Sequence, residues 1–282
     1  MDKLIINFTP TGMVPTKAVT PHVPVAVAEI VDDVLGCAEL GASIIHLHAR
    51  DEAEQPTPDP TVFAEIIAGI RAERTDLILC VTTSGRTHPD VEDRAAVLDL
   101  TGDSKPEMAS LTLGSLNFLH SASLNAPQTI RELARRMAER GIKPELEIFD
   151  TGMINYARYL MRKGELAEPG YFNLLLGNIA TAQATEATVD LMLDALPPNA
   201  VWALAGIGDC QRQVHQWAID RGGHVRVGLE DSIYLDETRQ TLATNRALVE
   251  RVAEMGRAQG REPATATETR AILGLEQGSP VR

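Results

Sequence analysis

Short runs of β-branched and apolar residues alternate along this chain with segments whose apolar positions recur every three or four residues. The first kind of run suits a buried strand, the second an amphipathic helix with one face on a core. Strands are predicted over residues 4–8, 43–49, 77–83, 108–113, 145–150, 171–177, 200–206 and 224–230. Between them lie helix-period patterns such as Val27, Ile30, Val31, Val34, Leu35 and Ala38, or Ile130, Leu133, Ala134 and Met137 before Gly141. A last helix is predicted over residues 240–255. Eight strand–helix units in order, with no linker between them, predict one α/β domain over 1–282, a single (β/α)8 TIM barrel. A doubly wound sheet is the second architecture that the pattern admits. Its dinucleotide-binding form wants a Gly-rich GxGxxG turn after the first strand, where this chain reads Thr9-Pro10-Thr11-Gly12. The tail 256–282 is polar, carries Pro263 and Pro280, and is expected to wrap the surface or an oligomer partner.

Composition narrows the partners. With 44% hydrophobic and 23% charged residues in 282, the chain can bury a sizeable core. Its 26 Lys+Arg against 39 Asp+Glu leave −13 at pH 7, which opposes a duplex carrying one negative charge per ~1.7 Å. Only 4% of residues are aromatic, too few for base-stacking platforms, so nucleic acid and anionic membrane are both poor partners. Cys37, Cys80 and Cys210 are odd in number and far apart, which argues against a disulfide framework or a thiolate zinc site. Asp2 and Lys3 precede an apolar run too short for a signal peptide, and no stretch of ~18 apolar residues occurs. A reduced, cytoplasmic protein is expected.

Candidate chemistry gathers at strand ends. In Ser43-Ile44-Ile45-His46-Leu47-His48-Ala49-Arg50 the two histidines are two apart, so on a strand they point the same way. If that way is inward, both stand at the C-terminal mouth, where barrel enzymes keep their sites. This is metal-ligand spacing, and the alternative is a pair of hydrogen-bonded core histidines. The last strand reads His224-Val225-Arg226-Val227-Gly228-Leu229-Glu230-Asp231, and alternation puts His224, Arg226, Gly228 and Glu230 on one face. Two histidines and Glu230 would make three ligands with an open position, as catalytic metal sites have. Asp231 beside them could act as a base; an ordinary acidic strand end before a helix is the alternative.

Arg226 is expected ~13 Å deeper than Glu230, at ~3.3 Å per residue. A charge inside the barrel must be paired, and Glu145 and Glu147 on the fifth strand are its candidates. Spacing leaves open whether that pair only fills the core or also holds a catalytic base. Thr82-Thr83-Ser84-Gly85-Arg86 offers hydroxyls and a cation for a carboxylate, or is a hydrophilic loop. Ser110 and Thr112 face inward by alternation. Gly206-Ile207-Gly208 leaves room for backbone N–H groups to meet a phosphate, although such a pair of glycines is more often a turn. His22, His88, His120 and His215 have no partner spacing and are expected on the surface or satisfied. Trp202 and Trp217 are expected to pack.

Together these residues resemble the β-keto acid cleavage enzymes, the family of the 3-keto-5-aminohexanoate cleavage enzyme. The resemblance covers nearly the whole length. It runs through Pro15-Thr16-Lys17, Ile45-His46-Leu47-His48, Lys105-Pro106-Glu107-Met108-Ala109-Ser110-Leu111, Leu116-Asn117-Phe118, Pro144-Glu145-Leu146-Glu147, Ala205-Gly206-Ile207-Gly208 and Gly222 to Asp231. It implies a barrel with zinc on His46, His48 and Glu230, and an acid–base unit in which Glu147 and Arg226 position Asp231. It implies acetyl-CoA as co-substrate, a β-keto acid condensed with it and cleaved to acetoacetate and a new acyl-CoA, and a homo-oligomer, a tetramer. Substrate contacts are expected at residue 14, at Thr82, Thr83, Ser84 and Gly85, and at Ser110; CoA contacts are expected at Gly206, Gly208 and Arg86.

Three positions depart from the family pattern. Val14 stands where the aminohexanoate enzyme has an acidic residue for the substrate ammonium, so a neutral or apolar tail is expected here. Thr83-Ser84-Gly85-Arg86 replaces a Thr-Gly-Gly turn, and Asp209 replaces a basic residue after Gly208. Other readings of the same residues are a class II aldolase, which needs no CoA, and an amidohydrolase-type hydrolase, which wants histidines on the fifth and sixth strands, where there are none. An acidic protein taking two anionic substrates needs local positive charge from zinc, Arg226 and either Arg86 or Lys17.

Overall fold

A computed structural model describes residues 3–275. The chain begins with β1 (Ile6–Phe8), α1 (Val27–Glu39), β2 (Ala42–Leu47), α2 (Pro60–Glu73), β3 (Ile78–Val81) and the short α3 (Val91–Ala95). It continues through β4 (Met108–Thr112), a hairpin of β5 (Leu116–Asn117) and β6 (Ala122–Ser123), α4 (Pro127–Glu139), β7 (Lys143–Ile148) and α5 (Thr151–Arg162). Then follow β8 (Tyr171–Leu176), α6 (Glu186–Ala195), β9 (Val201–Gly206), α7 (Gln211–Asp220), β10 (His224–Val227), α8 (Asn245–Ala258) and α9 (Ala266–Leu273). Eight strands close a barrel in the order β1-β10-β9-β8-β7-β4-β3-β2, every neighbouring pair parallel. This is the (β/α)8 barrel that the alternating pattern predicts.

The two faces of each strand do different work. Outward residues such as Phe8, Ile45, Leu47, Leu111, Ile148 and Phe172 pack under the apolar stripes of the helices, among them Ile30 and Val34 of α1 and Leu133 and Met137 of α4. Each such side chain contributes on the order of 1.5–3 kcal/mol by leaving water. Inward residues form layers. The lower one is apolar, with Ile5, Ile44, Ile78, Met108, Tyr171 and Ala203 in one cluster. Above it the buried inward residues turn polar, with Asn7, His46, Ser110, Glu145, Asn173 and Arg226. A dry floor therefore lies beneath a set of interior charges, whose interactions are strengthened by the low dielectric.

Two expectations are corrected. The tail does not simply wrap the outside: α8 runs on to Ala258, and the following residues close the barrel floor. Ala264 and Leu273 join the lower apolar layer, Thr269 Oγ1 lies 2.8 Å from Ser43 Oγ, and the Thr265 and Glu268 side chains cap α9 reciprocally. Those few apolar residues have nowhere else to leave water. Residues 276–282 of that tail lie outside the described residues. The last strand ends at Val227 rather than at 230, because the chain turns sharply at Gly228, where a Cβ would lie 2.0 Å from the Thr9 carbonyl oxygen. The N–H groups of Asp231 and Ser232 then donate back to the Gly228 carbonyl at 3.2 and 3.3 Å.

Candidate active site

His46 points inward near the end of β2 and His48 follows just beyond that strand, both buried. Their Nε2 atoms are 3.3 Å apart, and Glu230 Oε1 is 3.4 Å from the His48 Nε2. One ligand atom from each of the three lies within 4.8 Å of the others. The second Glu230 oxygen, Oε2, is buried with no hydrogen-bond partner. A carboxylate oxygen is an expensive group to orphan, and two imidazoles with a carboxylate form a donor set suited to a divalent cation. The site thus fits the ion that the residues predict. Burial lowers the pKa of His48, which favours the neutral ring that a metal needs.

The sharp turn at Gly228 changes the geometry of the last block. Glu230 is not ~13 Å above Arg226: the turn folds it back, and Arg226 Nη2 donates to Glu230 Oε1 at 2.6 Å. Arg226 also donates from Nη1 to Glu147 Oε1 at 3.1 Å and from Nε to Asp231 Oδ2 at 3.2 Å, and its Nη1 lies 3.9 Å from Glu145 Oε2. Thr112 Oγ1 donates to the other Glu147 oxygen at 2.7 Å. One buried guanidinium therefore serves four carboxylates, a planar fork that a lysine could not replace. Burial pushes the Asp231 carboxyl above its ordinary range and Glu230 adds to this, with Arg226 opposing. Burial would push Glu145 up as well, but His46 and Arg226 outweigh it and hold Glu145 down at about 2.

The loop after β1 closes over this cluster. Gly12 has φ +61°, and a Cβ there would lie 2.5 Å from Glu230 Cγ, so the loop seats its backbone against the Glu230 side chain. Arg50 clamps it in place, donating to the carbonyls of Gly12 at 3.0 Å and Pro15 at 3.0 Å. Gly12→Ala is expected to displace Glu230 and weaken divalent-cation binding roughly 10-fold or more, as loss of an orienting contact does. Competition with a chromophoric chelator measures this, and an unchanged affinity removes Gly12 from that role.

Other predicted residues divide into two groups. A cleft of about 350 Å³, open to solvent, adjoins His48 and is lined in part by Met13, Thr82, Thr83, Ser84 and Arg94. Val14 stands 60% exposed on the loop beside it. Thr83 and Ser110 spend their hydroxyls on each other's backbone, with Thr83 Oγ1 donating to the Ser110 carbonyl at 2.6 Å and Ser110 Oγ accepting from Thr83 N at 3.1 Å. Gly85 packs on the buried Arg94. Gly206 lies against the Gln211 backbone, and the Gly208 N–H donates to the Asp231 carbonyl at 2.8 Å. That amide therefore positions Asp231 instead of facing a phosphate.

Arg86 lies 4.0 Å over the Phe118 ring and donates to Ser121 Oγ at 3.0 Å, while the Lys17 ammonium is paired with Glu29 at 2.8 Å. His224 sits low in the barrel, its Nδ1 accepting from Ile5 N at 3.1 Å. His215 is buried with Nε2 2.9 Å from the Arg226 carbonyl; His22 and His120 are exposed. Trp202 and Trp217 pack against the outer core.

Sequence reasoning paired Glu145 with Arg226 and missed its nearer partner, His46, whose Nδ1 is 2.5 Å from Glu145 Oε2. It also missed Thr9, whose hydroxyl lies 3.4 Å from Asp231 Oδ2, and the inward Asn7 and Asn173. A signal existed: Asn7 and Thr9 are polar positions at period two with Ile5 in an otherwise apolar first strand.

The sequence profile of the beta-keto acid cleavage enzymes matches residues 3–275. A 3-keto-5-aminohexanoate cleavage enzyme of Fusobacterium nucleatum is 38% identical over 279 residues, 98% of this chain and 100% of that one. A 3-oxoadipate:acetyl-CoA acetyltransferase of Cupriavidus necator is 38% identical over 276 residues, 96% of this chain and 94% of that one. Among solved structures, ObcA in a binary complex with oxaloacetate superposes with a TM-score of 0.79 at 21% identity, over 91% of this chain and 68% of that one, a likeness of fold. The chain belongs to the beta-keto acid cleavage enzyme family.

Proposed function

We propose that this protein condenses a β-keto acid with acetyl-CoA and cleaves the adduct to acetoacetate and a new acyl-CoA, with zinc held by His46, His48 and Glu230. One observation carries the reading: two imidazoles and the Glu230 carboxylate, one of whose oxygens is buried without a partner, converge within 4.8 Å beside Asp231, itself gripped by Arg226. When bound, the cation supplies Lewis-acid charge that favours the enolate of the keto acid. Asp231 is the base. It takes a proton from the carbon between the two carbonyl groups, the carbanion forms a bond to the acetyl carbonyl carbon, and CoA leaves as thiolate. That thiolate attacks the original keto carbonyl, the bond to the former C2 breaks, and the departing acetoacetate carbanion recovers the proton from Asp231. Protons and CoA balance across the cycle.

The surrounding residues suit that exchange. Arg226 and the Gly208 N–H fix Asp231 in direction, Glu147 braces Arg226 from its other side, and burial keeps competing water away from the carbanion. Thr82, Thr83 and Ser84 form the substrate side of the cleft, with Ser110 bracing Thr83 and Gly85 packed on Arg94 behind them; Arg86 is the cation offered to CoA, while Gly206 and Gly208 serve by close packing and by positioning Asp231. An exposed Val14 cannot pair an ammonium, so the acyl tail is neutral or apolar.

A panel of β-keto acids with acetyl-CoA, assayed for acetoacetate and the new acyl-CoA, tests the reading. Turnover of an apolar-tailed acid is expected, with kcat/KM roughly 10–100-fold above that for an ammonium-tailed acid, since an unpaired charge must be desolvated. No acetoacetate from any of them overturns the class; a preference for the ammonium overturns the role of Val14. A homo-oligomer, a tetramer, in the cytoplasm completes the proposal. The three cysteines are free, no described helix is long and apolar enough to cross a membrane, and light scattering reads the oligomer number.

A further inference from the structure

Glu145 lies at the centre of the barrel with every polar contact a donor. Its Oε1 accepts from Asn7 Nδ2 at 2.5 Å and from Asn173 Nδ2 at 2.8 Å. Its Oε2 faces His46 Nδ1 at 2.5 Å and accepts from the Cys80 thiol at 3.4 Å, and Arg226 Nη1 stands 3.9 Å away. The carbonyl oxygens of Asn7 and Asn173 have no partner, so both amides turn their nitrogens to the carboxylate at the cost of burying their acceptors. An environment that rich in donors holds an ionised carboxylate, which can only accept. The His46 Nδ1 must then carry a proton.

We propose that Glu145 is a positioning residue that fixes this Nδ1–H form of His46 and so leaves the Nε2 lone pair, 3.3 Å from that of His48, for the cation. The inference rests on the reading that His46, His48 and Glu230 hold the ion. A carboxylate behind a metal-bound imidazole both orients the ring and raises its basicity. The residues around Glu145 make a sharp test possible. In Glu145→Gln, the arrangement that keeps the Asn7 and Asn173 donors in place turns the new amide's oxygen to them and its NH2 to His46 Nδ1. That nitrogen is forced to accept, the neutral ring carries its proton on Nε2, and metal binding is opposed without any change in size.

Zinc affinity, measured by chelator competition, is expected to fall about 10–100-fold in Glu145→Gln. Nitrogen-15 spectra of the histidine rings are expected to show Nδ1–H on His46 in zinc-loaded wild type and Nε2–H on the neutral ring of the metal-free variant. A purely structural role would lower the unfolding midpoint and leave the tautomer and the affinity alone. Unchanged affinity in a folded variant, or a bare Nδ1 in the wild-type zinc form, overturns the proposal, and the second measurement needs no variant. His48→Ala separates the two layers of argument. If wild type binds one zinc and His48→Ala weakens it while Glu145→Gln does not, only the role of Glu145 fails. Absence of stoichiometric binding in wild type overturns both.

Discussion

Asp231→Asn is expected to lower kcat by ~10²–10⁴-fold while zinc stays bound, because an amide of the same shape cannot take up the proton that a positioned base removes. The substitution is nearly isosteric and leaves Glu230, His46 and His48 intact. It trades a charge-assisted contact with Arg226 at 3.2 Å for a neutral one, and the Thr9 hydroxyl at 3.4 Å still has an oxygen to meet. Turnover and metal content must be measured on the same preparation. Near-normal turnover would remove Asp231 from the base role, and loss of the metal along with activity would mean that Asp231 acts through the ligand cluster. Deuterium exchange at C2 of the keto acid, without acetyl-CoA, isolates the proton step and should fail in the variant.

Arg226→Met should be the most destabilising single substitution in the interior. The side chain is about 2% exposed and touches Glu147, Glu230, Asp231 and Glu145, all within 4.0 Å. Removing it leaves buried carboxylates uncompensated, a loss of about 3–5 kcal/mol, or on the order of 10 °C in melting temperature for a chain of this size. The pH dependence identifies the cause. In wild type the Glu145 carboxyl is held at about 2 against an ordinary 4.5. Its contribution is complete above 4.5 and is lost as pH falls from there through 2. The variant lacks part of that contribution, so its deficit relative to wild type should be largest near neutrality and shrink below 4.5. Denaturant unfolding in the presence of chelator, at several pH values, reads this. A deficit independent of pH would assign the loss to packing volume instead of charge.

The barrel was legible because its cause is local. Each apolar run with period two, and each helix stripe such as Ile30, Val34 and Cys37, reports which face must leave water wherever it sits in the fold. The same rule put His46 and His48 on one face and Glu145 and Glu147 on another. It failed at Gly228, where the strand stops early for a reason outside that strand: the Thr9 backbone occupies the space that a continuing side chain would need. It failed again at Glu145, since alternation states that a carboxylate points inward but not which cation across the barrel it meets first. The residues that close the floor were misjudged for a related reason. Ala264, Ala266 and Leu273 are too sparse to advertise a core until the barrel end is there to receive them.

The sequence by itself determined the number and order of the strand–helix units and marked His46, His48 and Glu230 as candidate ligands with Asp231 beside them. Those features follow from periodicity and from short motifs, which survive in any arrangement of the chain. Only the tertiary structure decided how the charges share one another. The fold brings Asn7, Glu145, Asn173 and Arg226 together from β1, β7, β8 and β10, strands separated by long stretches of sequence, and seats Gly12 on Glu230. Pairing inside a closed barrel depends on register and depth across strands, quantities set by closure of the whole sheet and by no segment alone.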